Sequence, residues 1–363
     1  MYKEDKRIVM TLDAGGTNFV FSAIRGGEEM VAPITLPAEA GRLATCLENL
    51  VKGFTIVRNA LADAPVAISF AFPGPADYKA GIIGNLPNFP SFRGGVALGP
   101  FLEKVFGIPV FINNDGNLFA YGEALTGILP DLNRALAEAG STKQYHNLLG
   151  ITLGTGFGAG VVINGELLAG DNGAGGDVWC LRNKKYPHCI VEESVSIRAV
   201  KRVYSEYSGD TSELTPKDIF DIAEGICPGN RQAALRSFEE LGEMAGDAIA
   251  SAVTLIDGIV VIGGGLSGAA KFIFPALLKE MNSSLAMMAG CSFRRLQMKA
   301  FNLDDPDEFI GFAKGESVEI SVPGTGIRVD YDPLKRIGVL VSRQGANRSI
   351  AMGAYVYALN HLS

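Results

Sequence analysis

The sequence predicts an α/β protein of two domains with a duplicated core. Three observations carry this expectation. Strand–glycine turn–strand units open two halves of the chain in the same way, one from Arg7 and one from Leu148. Short apolar runs of strand length are interleaved with stretches of helical period. At 363 residues the chain is too long for one small core and fits two domains with a cleft between them.

Arg7 to Asp13 reads as a buried strand running into the turn Ala14-Gly15-Gly16-Thr17-Asn18, with Phe19 to Ile24 as the strand that follows. Strand, tight glycine turn and strand make a hairpin, not the strand–glycine–helix order of a Rossmann or Walker unit. Gly26-Gly27 is expected to turn the chain into a third strand at Met30 to Ile34. Leu43, Leu47, Leu50, Phe54 and Val57 then recur at helical spacing. Val66 to Phe72 is a further strand, ending at Pro73-Gly74-Pro75, and Pro109 to Asn113 is another, delivering Asn114-Asp115 at its C-terminal end. In sheets flanked by helices, that end of a strand is where ligands bind.

Leu148 to Leu153, the loop Gly154-Thr155-Gly156-Phe157-Gly158, and Ala159 to Ile163 repeat the opening pattern. Thr215, Pro216 and Asp218 form a helix-start signal. Ile259 to Ile262 is a strand ending in Gly263-Gly264-Gly265, and Ser349 to Leu359 is a final helix expected to pack on the first domain. The expected division is 1–117 plus the terminal helix 346–363, against 118–345 with a β insertion at about 301–331.

Composition excludes several classes. The net charge is −7 without a Lys/Arg cluster, which argues against binding to a nucleic-acid backbone. No apolar run is long enough to span a bilayer, and the N-terminus has no apolar region of signal type, so a cytoplasmic location is expected. Five scattered cysteines suggest reduced thiols. Of three histidines, His361 lies near the end, and neither His146 nor His188 sits in a nucleophile motif.

Asp13, Gly15, Gly16, Thr17 and Asn18 would form a phosphate-binding hairpin tip: glycines let backbone N–H groups approach phosphate oxygens, and Thr17 adds a hydroxyl. Asp13 could hold Mg²⁺, through water because Mg²⁺ dehydrates reluctantly. Gly154, Thr155 and Gly156 form a second such tip, and Gly264-Gly265 could give a surface for adenosine. Each in isolation reads equally as an ordinary turn.

Taken in order, these motifs resemble the ROK family of sugar kinases and regulators within the actin-like ATPase superfamily, which has a ribonuclease H-like fold. Asp13-Ala-Gly-Gly-Thr-Asn18 is similar to the first phosphate loop, Phe72-Pro-Gly-Pro75 to the turn beside the sugar, and Pro87-Asn88-Phe89-Pro90-Ser91-Phe92-Arg93 to the PNLPGW segment, with Phe92 in the Trp slot. Asn113-Asn114-Asp115-Gly116-Asn117 resembles the catalytic END(A/G)N stretch, Leu153-GTGFGAG the second phosphate loop, and Val261-IGGGLS the adenosine-side motif. Gly170-DNGAGGDVWC resembles GANGxAGEIGH, with Asp177 in the slot of a sugar-binding Glu and Cys180 in that of a His. The family's CxCGxxGCxE zinc signature is reduced to Cys189, and Glu192 takes the place of its Glu. A structural zinc wants about four Cys/His ligands; Cys180, His188 and Cys189 are too few, and zinc is not expected.

The resemblance implies ATP-dependent phosphorylation of a free hexose or N-acetyl-hexosamine hydroxyl, with ATP and Mg²⁺ as cofactors, Asp115 as general base, and Gly74, Asn88, Asn114, Asp177 and Glu192 around the sugar. For Asp115 the plain alternative is a helix N-cap, and for Glu192 a solvated helix residue. Glucose is the first choice, then mannose, N-acetylglucosamine, N-acetylmannosamine and fructose. A homodimer is possible, as in related kinases. The competing readings are a weakened sugar-binding protein and a sugar-sensing repressor. The repressor is disfavoured because the first phosphate hairpin starts too near the N-terminus for a recognition helix to precede it.

Overall fold

A computed structural model gives the structure, which describes residues 2–84, 86 and 89–362. The chain divides into two compact units, residues 1–127, 160–176 and 344–363 in the first, 128–159 and 177–343 in the second. The first unit thus runs past the expected boundary at 117 and takes back a short later stretch.

In the first unit β1 (Val9–Ala14) pairs antiparallel with β2 (Asn18–Arg25), forming the expected hairpin. The third strand differs from expectation. β3 is only Glu28–Glu29, and β4 begins at Ile34 and ends at Pro37. Met30 keeps one bond to Ala23, but Pro33 has no N–H to donate and interrupts the ladder until Ile34. Helix α1 (Leu43–Ala60) buries Cys46, Leu50, Phe54 and Val57 on one face. Strand β5 (Ala67–Ala71) lies parallel to β1, a small ladder of β6 (Ala76–Asp77) and β7 (Ile82–Ile83) follows, and α2 (Leu98–Phe106) leads to β8 (Val110–Asn113), parallel to β5.

Phenylalanines knit this sheet to its helices. Phe21 meets Phe54 edge-on at 5.0 Å, and Phe72 packs on Phe89 at 5.0 Å and Phe92 at 5.6 Å. Phe92, read as the counterpart of the family's Trp, is fully buried in this cluster. Helix α3 (Asp115–Leu125) starts immediately after β8 and packs along the C-terminal helix Ala346–His361. Gly122 and Gly353 permit that approach, since a Cβ on either would run into the other helix's backbone.

The second unit begins with α4 (Ile128–Glu138) and β9 (Leu148–Leu153). β10 (Phe157–Ile163) starts in this unit and continues into the first, where β11 (Glu166–Leu167) pairs with its end. Then come α5 (Ile197–Ser208), α6 (Pro216–Glu224), α7 (Arg231–Ile256) and β12 (Ile259–Gly263). The capping box predicted at Thr215 is present, with Asp218 reciprocating. Helix α8 (Ala270–Met281) precedes a hairpin of β13 (Ser284–Ala286) and β14 (Ser292–Arg294). β15 (Lys299–Asn302), α9 (Pro306–Lys314), a second hairpin of β16 (Val318–Ser321) and β17 (Arg328–Tyr331), and β18 (Arg336–Val341) complete the unit. The stretch read as a β insertion thus includes a core strand and a helix before its hairpin. β9, β12, β18 and β15 are parallel neighbours, so their C-terminal ends share one edge.

Candidate active site

The first cluster forms where three parallel strands end together. Asp13 pairs with Ala71 and Ala71 with Asn113 in register, so the chain leaves the sheet at Asn113 two strands from Asp13. With strands about 4.8 Å apart, their backbones lie roughly 10 Å from each other. The glycine turn is closed by the Gly15 N–H donating to Asn18 O at 3.0 Å.

The turn into α3 is fixed by asparagines. Asn113, buried, accepts the Asn114 N–H at 2.8 Å and the Asn117 side-chain amide at 3.0 Å. Asn114, not Asp115, is the N-cap: its Oδ1 accepts the N–H groups of Gly116 at 2.7 Å and Asn117 at 3.4 Å. That use leaves the Asn114 amide NH₂ as the group it can offer a ligand. Asp115 is the first helical residue, its Oδ1 accepting the Gly116 N–H at 2.9 Å.

Solvent reaches both carboxylates, yet their surroundings remove enough water to matter. Burial raises the Asp115 pKa above the ordinary carboxylate value, opposed by the N–H groups of Gly116 and of Asp115 itself. Burial also raises that of Asp13, and the negative charge of Asp115 adds to the effect. A carboxylate at a glycine turn that feels the charge of a second one at a helix start suits a hydrated Mg²⁺ beside a proton acceptor. Gly74 lies in the neighbouring turn, braced by the Tyr78 hydroxyl donating to Phe72 O at 2.9 Å. Asn88 lies outside the described residues.

In the second unit, β9 and β12 end side by side, Thr152 paired with Gly263. The loop Gly154–Gly156 is held by the Gly154 N–H to Gly156 O at 3.1 Å and the Ile197 N–H to Gly154 O at 2.9 Å. Gly264 has φ +90°, and a side chain there would strike the Leu153 backbone, so this turn requires glycine. Glu192 is no solvated helix residue. Its Oε2 accepts the Phe157 N–H at 2.9 Å and its Oε1 accepts Arg198 Nη2 at 3.2 Å, while Arg198 Nη1 donates to Thr155 O at 3.3 Å. Asp177 is exposed just before a short 3₁₀ turn, and its carbonyl accepts the Cys180 thiol.

Sequence reasoning missed a cavity of about 250 Å³ beside Gly265, lined by Pro216, Lys217, Phe220, Phe238, Leu266 and Gly268 among others. Phe220 is an aromatic on an amphipathic helix, a pattern that reads as core until the neighbouring element is known. Arg198 was missed as well; nothing in the sequence separates it from other helical arginines.

The residues do not fit a structural zinc. Cys180 and Cys189 are exposed, and among the described residues no three His, Cys, Asp or Glu side chains gather as metal ligands. The loop is held otherwise. Buried Asn183 accepts the N–H groups of Lys185 and Tyr186 and donates to Ser194 Oγ at 2.8 Å. Lys185 reaches buried Glu240 at 2.7 Å, and Lys184 reaches Glu280 at 2.8 Å and Glu243 at 3.0 Å.

Comparison with known proteins decides the lineage, because a model described as "ROK family" matches residues 9–311. The chain belongs to the ROK family. The ROK kinase fold, the two-domain actin-like ATPase architecture, is therefore the fold of this chain. It is similar to the crystal structure of glucokinase from Parabacteroides distasonis, 72% identical with a TM-score of 0.93, covering 100% of both chains. It is also 28% identical to a glucokinase of Thermotoga maritima, covering 74% of this chain and 86% of that one. An N-acetyl-D-glucosamine kinase of Vibrio cholerae is 27% identical, with 77% and 91% covered. Among the described residues of this ROK protein, no helix is long and apolar enough to cross a membrane.

Proposed function

We propose that this protein transfers the γ-phosphoryl group of ATP to a hydroxyl of a free hexose, glucose before others, with Asp115 as general base. That it is an ATP-dependent sugar kinase rests on its ROK membership and its full-length likeness to a glucokinase. The observation that carries the base assignment is Asp115 at the first position of α3, its pKa raised by burial beside Asp13.

The Asp115 carboxylate takes the proton of the attacking hydroxyl, the sugar oxygen bonds to the γ-phosphorus, and the bond to the β-phosphate breaks to release ADP. Such a base contributes about 10²–10⁴-fold, and the remainder comes from positioning and charge neutralisation. Asp13 would hold Mg²⁺ through water, and the metal would neutralise charge on the phosphates. Gly15, Gly16, Thr17 and Asn18 would form one phosphate-binding turn, and Gly154, Thr155 and Gly156 would form another. The cavity beside Gly265 suits adenine, with Phe220 and Phe238 as apolar walls. Asn114 would donate to a sugar hydroxyl through its amide, with Gly74 in the neighbouring turn; for Asp177 and Glu192 a sugar-side role is carried over from the family motifs they match.

The test is ADP release from Mg·ATP with glucose, mannose, N-acetylglucosamine, N-acetylmannosamine and fructose offered separately. Sugar-dependent ADP with the highest kcat/KM for glucose is expected. A preference for N-acetylglucosamine is the second reading, favoured by the likeness to the N-acetyl-D-glucosamine kinase of Vibrio cholerae. Absence of any sugar-dependent ADP at high protein concentration would point to a binding-only role.

A further inference from the structure

On the reading of Gly154–Gly156 as a phosphate-binding turn, we infer that Lys185 is a positioning residue for the phosphoryl transfer. Its ion pair with buried Glu240 anchors the segment 181–194, whose Glu192 holds that glycine loop. The segment has little regular structure to fix it. One isolated bridge joins Arg182 to Ile190, and a single 3₁₀ turn, Val191–Glu193, follows. Bonds within it, such as the Asn183 N–H to Cys189 O at 3.0 Å and the Asn183 amide to Ser194 Oγ at 2.8 Å, set its shape. They do not set its place.

Its place depends on side chains that tie it to the neighbouring helices. Arg202 of α5 donates to the Tyr186 hydroxyl at 3.3 Å and to Glu193 O at 3.4 Å, both long bonds. Lys184 reaches Glu243 of α7 at 3.0 Å and Glu280 of α8 at 2.8 Å, but neither Lys184 nor its acidic partners are fully buried. Water and salt weaken such pairs. Lys185 differs in its partner. Glu240 of α7 is 1% exposed, and its Oε2 accepts from Lys185 Nζ at 2.7 Å. Among the described residues Arg236, at 3.9 Å, is the other cation paired with Glu240, and Glu240 Oε1 has no hydrogen-bond partner. A carboxylate cut off from water must keep its counter-charge, so Glu240 holds Lys185 in one place.

That hold is passed on to the glycine loop. Further along the same segment, Glu192 Oε2 accepts the Phe157 N–H at 2.9 Å and lies against Gly156. The loop's own closure is slight: the Gly154 N–H to Gly156 O at 3.1 Å, and the Ile197 N–H to Gly154 O at 2.9 Å. A shift of the segment draws the carboxylate away from Phe157 and loosens the loop. No metal-ligand cluster is present to anchor the segment instead, since Cys180 and Cys189 are exposed and no three ligating side chains gather among the described residues. Placement of the loop therefore runs from α7 through Glu240, Lys185 and Glu192.

Steady-state kinetics with ATP varied tests this, on Lys185→Met, Lys184→Met, Glu192→Ala and the double variant Lys185→Met/Glu192→Ala. Lys185→Met should raise KM for ATP roughly ten-fold with kcat changed less, the effect of a small misplacement of a binding group. Lys184→Met should stay near native. The double variant should add little to Glu192→Ala, because both changes act through one carboxylate. Lys185→Met/Glu240→Met removes the buried charge; it should melt like the native protein yet keep the raised KM, which separates placement from stability. A native KM in Lys185→Met, additive effects in the double variant, or a native KM in the charge-free variant would overturn the assignment. If Glu192→Ala itself leaves KM for ATP unchanged, the phosphate-loop reading fails and takes the role of Lys185 with it. If Glu192→Ala raises KM and Lys185→Met does not, only the role of Lys185 is lost.

Discussion

The Glu192 carboxylate accepts the backbone N–H of Phe157 at 2.9 Å, which ties the residue in the family's sugar-side slot to the glycine loop expected to hold phosphate. Phe157 is buried, so this N–H has little other recourse to a partner. The same carboxylate lies against Gly156 and is partnered by Arg198, which offsets a negative charge close to where phosphate oxygens would come.

Removing that tie should therefore disturb both substrates. In Glu192→Ala the Phe157 N–H loses its acceptor, a loss that costs about 1–3 kcal/mol when the group stays buried. We expect KM to rise for ATP and for the sugar together, whereas Glu192→Gln, which keeps an acceptor oxygen, should retain more of the ATP affinity. Steady-state kinetics with each substrate varied in turn checks this; an unchanged KM for ATP in Glu192→Ala would refute the link.

Asp115→Asn should keep sugar affinity within a few-fold and lower turnover by at least about two orders of magnitude. The variant retains an oxygen that can accept the Gly116 N–H, so the helix start is preserved. Near-normal turnover would mean that the base is another group.

The same substitution has a stability consequence of fixed sign. Burial raises the folded-state pKa of Asp115, so its ionised form is a burden on the fold that is complete above the raised value. The burden fades as pH falls through that value and is gone below the unfolded value of about 3.9. Asp115→Asn should thus melt at a higher temperature than the native protein near pH 7, the difference shrinking in acid. Calorimetry across pH measures it.

Catalysis should show the matching limb. A base works only when deprotonated, so kcat/KM should fall as pH drops through the raised pKa, at an apparent value above the ordinary carboxylate figure of about 3.9. A limb at or below that figure would contradict the raised pKa of Asp115. Asp13, raised by burial and by the Asp115 charge, should add a second acid-side loss seen in the KM for Mg·ATP.

Phe220→Ala removes an aromatic wall of the cavity beside Gly265. We expect KM for ATP to rise roughly ten-fold or more with kcat little changed, since stacking on an aromatic contributes on the order of 1–3 kcal/mol. An equal rise in the sugar KM would speak against an adenine site.

Which strands end in glycine turns, and in what order, was legible from the residues alone, because a tight turn at a strand end restricts residue choice locally. So were the capping box at Thr215 and the helical face of Leu50, Phe54 and Val57, which depend on neighbours within a few residues. That Asn114 rather than Asp115 caps α3 came from the three-dimensional fold, since both residue types cap equally well and the choice depends on how β8 delivers the chain. The fold also decided that Glu192 binds the Phe157 N–H, that Phe92 belongs to the core, and that α6 and the turn after β12 enclose a cavity. Those outcomes depend on residues tens of positions apart meeting in space, and local propensity carries no record of such meetings.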